Sequence, residues 1–325
     1  MHYLGIDISK QYFDAMLLTP TGEKHHRRFD NKHPGIQACL AWLQSQGVSE
    51  LHACMEATNI YWEDLAEALY QAQHTVSVVN PSRIKGYAMS QMRRNKNDKL
   101  DSDVIVTFCA NTKPEAWTPL PDSTRKLRNL ARHRDSLQKT LTQQKNRLTN
   151  TQDEAVTSSL QRIIETLEAE IKQVEQKIDA LIDSTPETQD AFELMCSITG
   201  IGAKTARKVL AEMPDIAHYK SANAVAADAG VTPAEHESGD TVRRRPRISK
   251  MGKASIRGAL YWPAITAMKH NPPVAAFAQR LRARGKPNKV IIVAVIRKLI
   301  HIIYGVLKNK KPFDPNHGVK ALVAT

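Results

Sequence analysis

Four carboxylates stand where a carboxylate is costly unless something uses it. Asp7 closes the apolar run Tyr3-Leu4-Gly5-Ile6, and Glu56 closes a second, Leu51-His52-Ala53-Cys54-Met55. A charge at the end of a buried strand loses its hydration and needs a partner. If the two strands are parallel neighbours, both carboxylates emerge at one sheet edge, where α/β sheets place their sites. Asp98 and Asp101 follow in Asn95-Lys96-Asn97-Asp98-Lys99-Leu100-Asp101. A spacing of three sets them on one helix face, where like charges repel and a cation between them is a reason to keep both. Asp103, two residues on, should point elsewhere. Gly5 removes a side chain near this edge and lets another backbone approach. Carboxylates without clustered His or Cys favour a hard cation, Mg²⁺ or Mn²⁺, and a pair of such ions suits phosphodiester chemistry. Taken singly, Asp98 reads as a helix cap and Asp7 as a turn residue; the joint pattern is far more specific.

Two further motifs lie downstream. Ile198-Thr199-Gly200-Ile201-Gly202-Ala203-Lys204 sits between helical stretches. Gly200 and Gly202 permit a tight turn, and the N–H groups at the next helix start, with Lys204, can hold a phosphate. The stretch lacks the GxxxxGK[ST] of a P-loop; its plainer reading is an interhelical turn. Ser238-Gly239 follows Gly230-Val231-Thr232-Pro233. Most serines in such loops are turn residues. This one stands just before Arg243, Arg244 and Arg245, cations that lower the cost of an alkoxide attacking a phosphate. No His or Lys base can be assigned beside it.

The charge distribution points the same way. The formal net charge is +13, and residues 241–313 contain no Asp or Glu. Arg247, Lys250, Lys253 and Arg257 continue the basic stretch, with further Lys and Arg to its end. Such a surface neutralises phosphates and releases counterions, so nucleic acid is the expected partner. No secretory leader is expected, since residues 1–8 run straight into an apparent strand, and the longest apolar run, 290–306, is broken by Arg297, Lys298 and His301. It reads as a core helix, so no membrane partner is expected. The four cysteines form no CxxC pair, which argues against structural zinc and fits a reducing cytoplasm.

The elements that must position these groups fall into three segments. Strands are expected over 2–9, 12–19, 24–29, 51–57 and 75–79, with helices over 34–46 and 61–73, hence an α/β domain with a parallel or mixed sheet. From 122 to 184 the chain has no Gly or Pro, and Leu127, Leu130, Arg134, Leu137 and Leu141 start a 3-4 spacing. Leu160, Ile164, Leu167, Ile171, Val174 and Ile178 repeat it after a polar break. This predicts an antiparallel helical hairpin or coiled-coil arm. From 186 onward the pattern is mainly helical.

Together these residues resemble one family. Gly5-Ile6-Asp7, Glu56-Ala57-Thr58 and 95–101 match its DEDD cluster in order and spacing; Ile198-Thr199-Gly200-Ile201-Gly202 matches its hairpin; Gly230-Val231-Thr232-Pro233, Ser238-Gly239, Ile248-Ser249-Lys250-Met251-Gly252 and Arg257 match its C-terminal block. The chain resembles the IS110 family of insertion-sequence transposases, related to the Piv pilin invertases, over nearly its whole length. The resemblance implies a RuvC-like (RNase H-fold) DEDD domain at 1–120, a coiled-coil linker at 121–185 and a mainly α transposase domain at 186–325. It implies that Asp7, Glu56, Asp98 and Asp101 bind Mg²⁺, and that Ser238 is the nucleophile of a covalent phosphoserine link to DNA. It further implies a non-coding bridge RNA that pairs with donor and target DNA, in the bacterial cytoplasm at the nucleoid.

With the carboxylates and Ser238 far apart in sequence, a composite active site is expected. A homo-oligomer, dimer or tetramer, is expected through 122–184, because the seam needs a partner helix and recombination holds two duplexes. Two other readings compete: a RuvC-type, Mg²⁺-dependent junction-resolving nuclease, and a non-catalytic architectural DNA-binding protein. The nuclease has no need of the Ser-Gly block.

Overall fold

The computed structural model describes residues 1–57, 59–91, 98–238 and 242–316, leaving aside the side chains of 98–99, 235–238 and 242–246. The chain forms two compact units, Met1–Leu120 and Pro121–Thr325.

In the first unit, strands β1 (His2–Ile8), β2 (Tyr12–Leu18) and β3 (Lys24–Asp30) run into helix α1 (His33–Ser45). Strand β4 (Leu51–Glu56), helix α2 (Glu63–Gln71), strand β5 (Thr75–Val79) and helices α3 (Pro81–Ser90) and α4 (Asp98–Thr112) follow. The sheet order is β3-β2-β1-β4-β5. β1, β2 and β3 are antiparallel neighbours, whereas β1, β4 and β5 are parallel.

The strand period of two sorts each strand's residues onto two faces. Leu4, Ile6, Phe13 and Met55 pack with Trp42 of α1 and Leu65 of α2. The other face carries Gly5, Asp7, Cys54 and Glu56, alternate with those, and Cys54 packs with Val104, Ile105 and Cys109 of α4. Helix α3 was not anticipated. Asn80 caps it, accepting from the Ser82 N–H at 2.9 Å, and Pro81 takes the first helical position, the site where a missing N–H costs nothing.

The second unit opens with α5 (Asp122–Thr149) and α6 (Glu154–Asp183). Asp153 caps α6, accepting from the Val156 N–H at 2.9 Å. Arg134 pairs with Glu175 and Lys145 with Glu168; one partner advances as the other recedes, so the helices are antiparallel. Leu141, Ile164 and Ile171 close the seam, flanked by Leu137, Leu148 and Leu167. The partner helix that the 160–181 seam requires is therefore α5 of the same chain, and the seam gives no ground for a second copy. Nearer the hairpin's base, Leu127, Ala131, Ile178 and Ile182 join the core of the C-terminal helices.

Next come α7 (Pro186–Cys196), α8 (Ala203–Glu212), a 3₁₀ turn (Ile216–His218) and α9 (Ala222–Asp228). A two-stranded hairpin, β6 (Pro233–Ser238) and β7 (Val242–Ile248), precedes α10 (Ala254–Ala259), α11 (Tyr261–His270), α12 (Pro272–Ala283) and α13 (Asn288–Asn309). The hairpin interrupts a segment that reads as mainly helical. Val-Arg-Arg-Arg-Pro-Arg-Ile shows no apolar alternation, and its proline is tolerated only at a sheet edge. Helix α13 is long and apolar enough to cross a membrane by length and composition alone. Its Ile291, Val295, Leu299, Ile300 and Ile303 are instead buried in the unit's core.

Candidate functional site

The sheet register places the first two carboxylates. Ile6 pairs with Met55 across the parallel β1–β4 ladder, so the next residues, Asp7 and Glu56, emerge side by side at its C-terminal edge. Both are half-buried. Helix α4 crosses this face at Gly5: a Cβ there would lie 2.2 Å from the Val106 nitrogen and 2.3 Å from the Ser102 carbonyl oxygen. The backbone approach expected at Gly5 is thus α4, and it delivers half-buried Asp101, the neighbour of fully buried Ser102. Asp98 begins the same helix, with its side chain outside the described set. Asp103 pairs with Lys24 of β3, away from Asp101.

Among the described residues no three His, Cys, Asp or Glu side chains form a metal cage; the fourth carboxylate is not part of that set. The donor chemistry, carboxylate oxygen alone, fits a hard divalent cation.

A carboxylate missing from the sequence reading lies next door. Asp14 stands opposite Asp7 in the β1–β2 register and is only 1% exposed. It accepts from Arg28 Nε at 3.0 Å and Nη2 at 2.8 Å, and pairs with His26 Nε2 at 2.7 Å. Like charges directly across a ladder destabilise it; the Arg28 guanidinium offsets that repulsion. An Asp inside apolar Tyr-Phe-Asp-Ala-Met, opposite Lys-His-His-Arg-Arg, was the available signal.

Ser238 is expected in a loop, but it ends strand β6, opposite Val242, at the tip of the hairpin. Arg243 and Arg244 pair in register with Glu237 and His236; Arg245 follows on β7, and Gly239-Asp240-Thr241 lie outside the described residues. The hairpin's base is tightly built. A Cβ on Gly252, whose φ is +141°, would lie 2.1 Å from the Asp228 carbonyl oxygen. Lys253 pairs with Asp228 at 2.9 Å, and the Tyr219 hydroxyl donates to the same carboxylate at 2.6 Å. Arg257 Nη1 donates to the Ala229 carbonyl at 2.9 Å. Lys253 and Arg257, expected on nucleic acid, are thus engaged in holding the hairpin's foot, whereas Arg247 and Lys250 are exposed.

The glycine turn joins α7 to α8. Gly200 has φ +105°, and a Cβ there would lie 2.9 Å from that of Ala267, so glycine is required twice over. Fully buried Asn271 donates to the Thr199 carbonyl at 2.9 Å. Gly202 has open space around it and begins an exposed helix start with Ala203 and Lys204. Burial and the Arg134 guanidinium pull the Lys204 ammonium below its ordinary pKa, against Asp135 and Glu175. Behind it, Arg132 and Lys208 both bind buried Glu212, tying α5 to α8.

Comparison with known proteins shows what the chain is similar to. Residues 4–157 match a family model described as a DEDD transposase of the IS110 type. Residues 192–279 match one described as a transposase of the IS116/IS110/IS902 family. The pilin gene-inverting proteins of Moraxella bovis and Moraxella lacunata are each 34% identical over 319 residues, 96% of this chain and 97% of theirs. An uncharacterized 43.6 kDa protein of insertion element IS110 from Streptomyces coelicolor is 24% identical over 154 residues, 47% of this chain and 37% of that protein.

Proposed function

The chain belongs to the IS110 family of transposases, and from that premise we propose that it cuts and rejoins DNA through a covalent phosphoserine at Ser238. Asp7, Glu56, Asp98 and Asp101 hold Mg²⁺ or Mn²⁺ in a RuvC-like domain. The observation that carries this reading is the register that brings Asp7 beside Glu56 where α4 crosses at Gly5. The mixed five-stranded sheet supports the RuvC-like assignment, and the 3-4 spacing of the hairpin supports a coiled-coil arm.

The Ser238 oxygen attacks phosphorus, forming a serine Oγ–P bond. The bond from phosphorus to a deoxyribose oxygen breaks, and the proton given up by the Ser238 hydroxyl ends on the departing oxygen. Rejoining is the reverse step with another strand's hydroxyl, so one phosphoester replaces another and no external energy source is needed. Arg243, Arg244 and Arg245 neutralise charge on the scissile phosphate. Asp7, Glu56, Asp98 and Asp101 would hold the divalent cations, which when present would supply Lewis-acid stabilisation of the phosphate oxygens. The Moraxella relatives are named for inverting a pilin gene, a rearrangement that must cut and rejoin strands.

Donor and target DNA are selected by a bridge RNA in the bacterial cytoplasm. The acid-free stretch 241–313 suits recognition of sugar–phosphate backbones while base pairing reads sequence.

Asp7→Asn, Glu56→Gln, Asp98→Asn and Asp101→Asn should each abolish cleavage of donor DNA while binding persists. A free 5′-phosphate end with no protein adduct would favour a junction-resolving nuclease instead.

A further inference from the structure

Helices α10 and α11 run into each other through Leu260, whose N–H bonds to the Ile256 carbonyl and whose carbonyl accepts from Ala264, both at 3.0 Å. At helical spacing, Gly258, Trp262, Thr266 and Lys269 share one face, and all four are exposed. The opposite side buries Ile256, Leu260, Ala264 and Ala267. Trp262 is 71% exposed, beside Tyr261 at 40%. The rings stand at 87° with centroids 5.6 Å apart, so they do not cover one another face to face. Gly258 lies one helical turn before Trp262 on this face, and an added Cβ there would meet nothing within 4 Å, so this stretch of the face is open. Two contiguous exposed aromatic rings on an open helix face mark a contact surface.

Charge complementarity indicates the occupant. This face lies within residues 241–313, which contain no acid, and carries Lys269 itself. An aromatic ring in cationic surroundings is how proteins hold single strands, by stacking bases that a duplex would keep paired. We infer that Trp262, with Tyr261 beside it, is a stacking site for an unpaired base of the DNA strand being exchanged. The inference rests on the family's handling of DNA and not on the Ser238 chemistry.

The test uses the full chain and three probes of one sequence: a single-stranded DNA oligonucleotide, its duplex and the matching RNA. Trp262→Ala should weaken single-stranded DNA binding about 5- to 150-fold and duplex binding less than about twofold. Trp262→Phe should retain most of the affinity, and Trp262→Leu should lose it, since leucine keeps bulk without a π-face. A 5-iododeoxyuridine strand should crosslink to Trp262, mapped by mass spectrometry. Wild-type affinity in Trp262→Ala, equal loss on strand and duplex, or loss confined to RNA would overturn the inference. So would a change in oligomeric state by light scattering, which would assign the face to a second copy. Loss of cleavage in a Ser238 variant that still crosslinks at Trp262 would leave this inference standing.

Discussion

Gly5→Ala tests the idea that close packing of α4 on β1 sets the carboxylate geometry. The new Cβ would sit 2.2 Å from the Val106 nitrogen and 2.3 Å from the Ser102 oxygen, against 3.4 Å where ordinary contact begins. Both are backbone atoms, so no side chain can swing aside, and α4 must retreat by about 1 Å. Overpacking of this kind costs about 1–3 kcal/mol of stability. The larger effect falls on chemistry: a displacement of about 1 Å in a positioned group costs roughly 100-fold in rate, and α4 carries Asp98 and Asp101. Cleavage of labelled donor DNA, followed across a Mg²⁺ titration, should fall by about that factor with a higher Mg²⁺ requirement. Gel-shift affinity for DNA should hold. Gly86→Ala on α3, where an added Cβ meets nothing, serves as the control and should cleave normally. Wild-type cleavage by Gly5→Ala, or parallel loss of DNA binding, would show that α4 packing on β1 does not set the carboxylate geometry.

Asp103→Asn should cleave nearly as wild type, because it removes an ion pair to half-exposed Lys24, a type worth about 0–1 kcal/mol; an Asp101-like loss would show the ligand is misassigned. Ile171→Ala, in the α5–α6 seam, should cost about 2–5 kcal/mol in urea unfolding. That loss should not vary with protein concentration, since concentration dependence would place the seam between two copies. Burial pushes the Glu212 carboxyl up, but hydrogen bonds from Arg132 and Lys208 outweigh it and hold its pKa below the ordinary 4.5. A folded-state pKa depressed in this way stabilises above the unfolded value, and the stabilisation is lost as pH falls through the folded one. Glu212→Gln should therefore lower stability at pH 7 and flatten its decline below pH 4.5; an unchanged acid limb would contradict the network.

Strands β1 and β4 were legible because they are apolar runs that end at charges. Asp7 and Glu56 announce their positions by being the wrong residue type for a buried strand. Their adjacency depends on a parallel register that no local pattern encodes. Asp14 had the same signature within β2 and went unnoticed because its compensating partners, His26 and Arg28, lie on another strand. The β6–β7 hairpin was invisible for the opposite reason: an arginine run with an internal proline has neither strand alternation nor helical periodicity. Lys253 and Arg257 look like any other cations in the basic stretch. Only Asp228 and the Ala229 carbonyl, brought near by the folded loop, show that they brace the hairpin. The seam in α6 was correctly periodic, yet periodicity says only that a partner exists, not whose helix supplies it.

On the proposed mechanism, strand exchange passes through a covalent bond at Ser238. Wild-type protein, incubated with Mg²⁺, guide RNA and end-labelled donor DNA, should carry label through denaturing electrophoresis. Mass spectrometry of the digested adduct should place the nucleotide on Ser238. Ser238→Ala should bind the same RNA and DNA, yet neither cut nor form the adduct, while Ser249→Ala and Ser255→Ala should keep it. A nucleotide found on Ser249, Ser255 or Tyr261, or clean cleavage by Ser238→Ala, would contradict the account.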